Sequence, residues 1–411
     1  MNNTIHKISN KPKQFDKFIF FFCIIDHMFM PYFWLISIPY SMPLIFYWSF
    51  TRYSKIAKDK ELGYFQIIFI IMLLSTILGF IVYPSFIYNN IVYLVQYTAM
   101  FLYFFMFSYY VKNYDFNIKT ILVIFIIVVD VFALLYNINK GLYHNVKLFW
   151  NFRSSLYINS TTYKGYIGYR FSYYWMDANN IGYMMNAVIM YLYFNEKTSF
   201  FIKVFSLLSV LFVLVSCMSN GALLTFFLIL ILFVISRIIS LISNNLKIIY
   251  TFRLSSILMF VVTIVGVYFI IVYYLPGYLH SNVAIESYNR IINNFSTSRF
   301  EIWSEIVQKE NILKYLFFGF GGVVIVNGVN YAPHNGHFYI ILSYGLIAYY
   351  FFMYLIFFKR KCTQFKEYIW VFPIFIGFTL NVLLGEIKMM GIILLLVACS
   401  SNRNYLESKR V

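Results

Sequence analysis

Residues Phe18–Phe50 read FIFFFCIIDHMFMPYFWLISIPYSMPLIFYWSF, a run of 33 residues in which Asp26 and His27 interrupt an otherwise apolar chain. A helix needs about 20 apolar residues to cross the hydrocarbon core of a bilayer, and about 17 at the short limit. The run is too long for one crossing and barely enough for two. Pro31, Pro39 and Pro43 break it further, because proline removes a backbone donor and ends helices. Flanking charge settles the ambiguity. Lys11, Lys13 and Lys17 precede the run, and Arg52, Lys55, Lys58 and Lys60 follow it. The positive-inside bias places both flanks in the cytoplasm, so two short crossings are expected.

Composition agrees with a membrane solvent. The 411 residues are 61% hydrophobic, 23% aromatic and 11% charged, which leaves too little polar surface to cover a soluble globule. The net charge of +17 belongs to cytoplasmic loops, and with no soluble basic domain to carry it, nucleic acid is excluded as a partner. Cys23, Cys217, Cys362 and Cys399 are scattered, without the spacing of a disulfide framework or a metal site. The polar, basic segment Met1–Lys17 leads into an apolar run too long for a cleaved signal peptide and is expected to stay cytoplasmic.

Working toward the C-terminus, further spans are expected near Tyr64–Tyr83, Ile91–Val111, Ile121–Tyr136, Met176–Phe194, Phe201–Cys217, Gly221–Ser243, Ser255–Tyr274, Ala332–Tyr350, Trp370–Leu384 and Met389–Cys399. Lys112, Lys119, Lys197, Lys203, Arg237, Lys247, Arg253, Lys359, Arg360 and Lys361 fall on the inner side of this topology. The expectation is one all-α polytopic membrane domain over residues 1–411, with about twelve spans and both termini cytoplasmic. Two long loops, 137–175 and 275–332, face outward, and long ordered loops carry function. No internal repeat stands out.

The first loop holds Lys140, Lys147, Arg153, Lys164 and Arg170 and no acid. Uncompensated cations there suggest attraction for an anion. Its aromatics, Tyr143, Trp150, Tyr173 and others, fit an interfacial belt more readily than a sugar-stacking surface. Asp177, Asn179 and Asn180 stand where a helix starts and read first as caps. The second loop contains Ser298-Arg299-Phe300-Glu301, a capping-box pattern ahead of Trp303, Ile306 and Val307 at helical spacing, and so predicts a short amphipathic helix. Arg290 has Glu286 one turn before it, and Arg299 has Glu301 and Glu305 nearby, so plain ion pairs compete with ligand binding. The run Gly319-Phe320-Gly321-Gly322 reads as a tight packed turn before it reads as a phosphate cradle. Asp26, His27 and Asp130 are ionisable groups in or near spans with no partner evident in the sequence. At Pro333-His334-Asn335-Gly336-His337, His334 opens a long apolar helix on the outer face, where an imidazole beside Arg170, Arg290 and Arg299 has the parts of a base next to an anion clamp.

These residues resemble bacterial O-antigen polymerases and the related O-antigen ligases. The resemblance rests on Arg170 followed by Asp177-Ala178-Asn179-Asn180-Ile181-Gly182, on Arg299 with Trp303, Gly319 and Gly321, and on His334-Asn335 with Gly345 downstream. The family often has Asp-Pro-Asn where this chain has Asp177-Ala178-Asn179, and Ser-Arg where it has Ser219-Asn220. The resemblance implies a GT-C-like glycosyltransferase of the bacterial inner membrane that needs no cofactor or metal. Its substrates would be undecaprenyl diphosphate-linked glycans at the periplasmic face, with a chain-length regulator as a candidate partner. His334 would be the catalytic base; Arg170, Arg290 and Arg299 would bind the diphosphate; His337, Asn335, Asp177 and Asn180 would support them. Polymerisation is the first expectation, ligation to lipid A-core its closest rival, and a lipid-linked oligosaccharide flippase or other transporter the rival of another class.

Overall fold

The computed structural model describes residues 14–32, 38–52, 61–114, 116–150, 171–173, 178–196, 198–217, 219, 221–231, 303, 306, 312–326, 329–330, 335–354, 369–380 and 386–408. The chain divides into two compact units, 1–222 with 311–411, and 223–310. Described residues of the second unit are few: positions 223–231 of α9 (Gly221–Ile231) and the helical positions Trp303 and Ile306.

The described residues of the first unit are predominantly helical, with a two-residue antiparallel ladder between β1 (Ile325–Val326) and β2 (Val329–Asn330). Its opening run folds as an antiparallel hairpin of α1 (Gln14–Phe29) and α2 (Met42–Thr51). Asp16 at the start of α1 receives hydrogen bonds from the Arg52 guanidinium at 2.9 and 3.0 Å and from the Trp48 indole at 3.1 Å, so the start of α1 and the end of α2 lie together at one end of the hairpin. Pro31 lies just past the end of α1, as expected of a residue without a backbone donor. With ten residues and a length of ~15 Å, α2 alone is about half the thickness of the hydrocarbon core. The second of the two expected crossings is therefore not made by α2 alone.

At the other end of the hairpin, three helix termini converge on one buried ion pair. The last carbonyls of α1 have no partner within the helix. Lys388, the second residue of α13 (Ile387–Ser408), sends its ammonium there. Nζ lies 2.8 Å from the Asp26 carbonyl, 2.8 Å from that of Met30, 2.7 Å from that of Pro31 and 2.6 Å from Asp26 Oδ1. The other Asp26 oxygen accepts from the backbone N–H and the hydroxyl of Ser41, both at 2.6 Å, at the start of α2. A cation thus meets the negative end of one helix and an anion the positive end of another. Tyr32 donates to Glu386 at 2.9 Å and accepts the Lys388 backbone N–H at 3.3 Å, which partners a free donor in the first turn of α13.

Around this knot α13 packs on α4 (Ile87–Asn113) and on α1. Met389, Met390 and every residue from Ile392 to Cys399 are buried, the all-round apolar pattern of a helix enclosed by others. Gly391 is the place on α13 where His27 lies against the helix: a Cβ there would sit 1.9 Å from the imidazole Cδ2. α3 (Glu61–Val82) packs on α4, α5 (Ile118–Ile138) on α6 (Lys140–Trp150) and α8 (Phe200–Cys217), and α7 (Ala178–Asn195) on α8 and α12 (Val371–Leu380). Asp130 acquires a partner in the α5–α8 seam, where Ser209 Oγ donates to it at 2.5 Å.

α5 shows what solvent the fold requires. Leu122, Phe125, Ile126, Val129 and Ala133 are buried on one face, while Ile124, Ile127, Val131 and Leu134 are exposed on the other. A helix apolar on both its packed and its open face is matched by lipid. Three described helices, Pro84–Asn113, Ile118–Ile138 and Phe200–Cys217, are long and apolar enough to cross a membrane. The chain is a predominantly helical membrane protein. The stretch Ala332–Tyr350 departs from the single long helix expected of it: it is split into α10 (Gly336–Tyr344) and α11 (Leu346–Met353). The break is at Gly345, whose φ of 93° lies in the region side chains avoid. Phe317 crowds it so closely that a Cβ would lie 2.7 Å from that residue's carbonyl.

The knot predicts an asymmetry. Lys388→Met leaves the Asp26 carboxylate buried without its cation and should cost roughly 3–5 kcal/mol, whereas Asp26→Asn·Lys388→Met should recover most of the loss. Thermal unfolding of the detergent-purified chain measures both, and a double variant as unstable as the summed singles would contradict the pairing.

Candidate functional site

The helix that follows His334 begins at a defined residue. Asn335 is its N-cap, with extended backbone and a side-chain oxygen that accepts from the N–H groups of His337 at 2.9 Å and Phe338 at 3.2 Å. Asparagine suits this position because its short acceptor reaches donors that the helix leaves free. The cap orients the first turn, and that turn carries His337. Both ring nitrogens of His337 have partners: Nε2 with the Thr379 hydroxyl on α12 and Nδ1 with the Tyr349 hydroxyl on α11, each at 3.1 Å. Phe375 and Phe378 hold the ring from the side. One imidazole therefore links three helices, and its orientation is fixed from both ends.

Beneath α10 lies the glycine-rich loop. Gly319 N–H donates to Ser75 Oγ at 3.1 Å, Gly321 N–H to the Ser343 carbonyl at 2.9 Å and Val323 N–H to Asn90 Oδ1 at 3.1 Å. Tyr97 donates to Tyr339 at 3.1 Å, and Tyr339 donates to the Gly322 carbonyl at 2.6 Å. These loop donors are engaged by protein and are turned away from any phosphate. The loop is the tight packed turn that its composition suggested, and it ties α3 and α4 to the floor of α10.

The end of the first long loop is also anchored. Phe171 N–H donates to the Ser216 carbonyl at 3.0 Å, and Tyr173 donates to the Met28 carbonyl at 3.0 Å. Ser172 receives the Tyr143 hydroxyl on its carbonyl and the Lys147 ammonium on its side chain. This corrects one expectation. Tyr143 and Tyr173 are buried, so they are core residues, neither an interfacial belt nor a sugar platform. Lys147 places its ammonium on Ser172 and 6.0 Å from the centre of the Tyr143 ring, and Lys140 lies over the Tyr136 ring. In α7, Asn179 accepts from Ser219 at 3.1 Å, and Asn180 is buried in the first turn. Both asparagines lie inside the helix, and Asn179 binds a neighbouring segment.

Of the residues expected to act, Asn335, His337 and Asn180 are described. His334, Arg170, Arg290, Arg299 and Asp177 lie outside the described residues, as do Ser298, Glu301 and the rest of the capping-box segment except Trp303 and Ile306. The described frame brings Asn335 and His337 together; Asn180 enters no hydrogen bond with either. Thr379, Tyr349 and Lys388 were not singled out in the sequence. For Lys388 a signal was present, a cation at the edge of an apolar run that also needed a partner for Asp26. For Thr379 and Tyr349 there was none, since hydroxyls in apolar helices are common. Comparison with protein-family models, with curated proteins and with solved structures finds no match to this chain.

If His337 is held as a unit, His337→Ala and Tyr349→Phe should be coupled. A double-mutant cycle read by denaturation of the purified chain should give about 0.5–1.5 kcal/mol of interaction. Additive losses would mean that the hydrogen bond contributes nothing.

Proposed function

We propose that the chain is a surface-polysaccharide polymerase of the O-antigen type, a metal-independent glycosyltransferase that joins undecaprenyl diphosphate-linked oligosaccharide units at the periplasmic face of the inner membrane. The observation that carries this reading is the Asn335 cap with the braced His337 ring. A catalytic base needs a defined position, and His334 adjoins the best-defined helix start near the sequence motifs. Support also comes from the order of those motifs: Arg170 before Asn179-Asn180, Arg299 before the glycine-rich turn, His334 after it.

In this reading His334 takes the proton of an acceptor sugar hydroxyl, and the oxygen attacks the anomeric carbon of the donor. The bond from that carbon to the lipid diphosphate breaks, and the diphosphate leaves with the electron pair. Arg170, Arg290 and Arg299 supply fixed positive charge where the negative charge grows, a stabilisation that preorganised cations provide well in a dry site. Direct attack inverts the anomeric centre. Ligation to lipid A-core would use the same donor and the same groups with a different acceptor. Loss of a polymerase leaves single repeats on the core, and loss of a ligase leaves none.

His334→Ala and Arg299→Ala should each abolish long glycan chains with the amount of protein in the membrane unchanged; a normal chain-length ladder in either variant would sink the assignment. The purified wild-type protein should lengthen lipid-linked oligosaccharide in detergent, which a flippase would not do.

A further inference from the structure

α5 and α8 are both long and apolar enough to cross the membrane, and the seam between them carries polar pairs at matching depths. Asp130 and Ser209 stand near the middles of the 21-residue α5 and the 18-residue α8, at acyl-chain depth. Ser209 Oγ donates to Asp130 Oδ2 at 2.5 Å. Further along both helices Asn137 donates to Ser216 Oγ at 2.8 Å, and Ser216 passes its own hydrogen to the Phe212 carbonyl at 2.8 Å. That second pair is neutral and complete. The first is not: Asp130 Oδ1 is buried and has no hydrogen-bond partner among the described residues.

Asp16 and Asp26 each have a cation against them, and Asp130 has none among the described residues. The titratable groups of the elements around it are placed elsewhere. On its own helix Lys119 is ~16 Å away along the axis, and Tyr136 lies against the rings of Tyr143 and Phe171. On α8, Lys203 is ~9 Å along the axis from Ser209 and over the Tyr193 ring, and Cys217 is at the far end. On α6, Lys140 and Lys147 have the partners given above, and His144 lies against the Tyr143 ring. α7 offers tyrosines and no charged residue. Tyr173, between Phe125 and Phe132 of α5, donates to the Met28 carbonyl.

An ionised carboxylate at this depth without a counterion is costly, whereas the neutral acid is a far smaller burden. A metal cation needs several oxygen ligands. The seam offers one carboxyl and one hydroxyl, and no cluster of metal-ligating side chains exists among the described residues. A proton needs no more than this. We propose that Asp130 is a proton-binding site within the lipid layer: its carboxyl carries a proton near neutral pH and holds α5 against α8, and loss of that proton loosens the seam. Asp130 is half-buried and borders the exposed Ile127, Val131 and Leu134, so a reagent dissolved in lipid can reach it.

Dicyclohexylcarbodiimide on the full chain in liposomes, followed by peptide mass mapping, tests the site. The acid proton moves to a carbodiimide nitrogen, the carboxyl oxygen bonds the central carbon, and migration of the acyl group to nitrogen leaves an N-acylurea that carries the whole reagent. Near neutral pH the label at Asp130 should exceed that at Asp16 or Asp26 by about tenfold or more, the factor that one unit of proton affinity makes. It should fall as pH rises and be indifferent to sodium. The unfolding temperature of the wild type should also fall as pH rises, because the proton bound in the folded state is lost there, and Asp130→Asn should be as stable as the wild type near neutral pH and remove part of that fall. Label at Asp130 no greater than at Asp26, suppression of the label by sodium ions, or an Asp130→Asn chain with an unchanged pH dependence would each overturn the proposal.

Discussion

Taking a carboxylate and an ammonium out of water costs several kcal/mol per ion, and only close pairing with every remaining hydrogen-bonding group satisfied offsets it. The pair of Asp26 and Lys388 meets that condition by drawing on helix ends. The carbonyls at the C-terminus of α1 complete the shell of the ammonium, and the N–H and hydroxyl of Ser41 complete that of the carboxylate. Where the surrounding solvent is lipid, orphan backbone groups have no water to fall back on. The same contacts that make the ion pair tolerable therefore satisfy backbone groups of two helices, and Tyr32 does so for a third. Removing any one member exposes the needs of the others.

Placement of the remaining helices follows from that knot. With α1 joined to α13 at Asp26, the His27 ring rests on Gly391, and α13 is held along α4. α4 supplies Asn90 and Tyr97 to the glycine-rich loop and to Tyr339, and the floor of α10 is thereby set. From there Asn335 and His337 take their positions. The path from ion pair to capped helix is one of packed side chains and hydrogen bonds. The His337 frame near the proposed catalytic base stands on the same scaffold that satisfies the buried charges.

Much of this was legible in the chain. The hairpin of α1 and α2 followed from run length and flanking lysines, and the helical membrane class followed from composition. The packed turn at Gly319–Gly322 was favoured over a phosphate cradle because glycine is a turn residue far more often than a ligand. Other features were hidden for physical reasons. Tyr143 in a loop looks the same whether it lies at a headgroup or in a core, since only the segment folded over it, Phe171–Tyr173, decides. That Lys147 meets Ser172 was hidden because the partner is uncharged and lies 25 positions away.

Hydropathy belongs to each segment by itself, so the sequence alone determined that the chain is helical and that it lives in lipid. Partnership belongs to pairs of segments. Asp26 and Lys388 are 362 positions apart, and no local pattern says that they meet. The break at Gly345 depends on Phe317 pressing against it, and the orientation of His337 depends on Thr379 and Tyr349. These were decided by tertiary structure, because buried polar groups must find partners wherever packing brings them within reach.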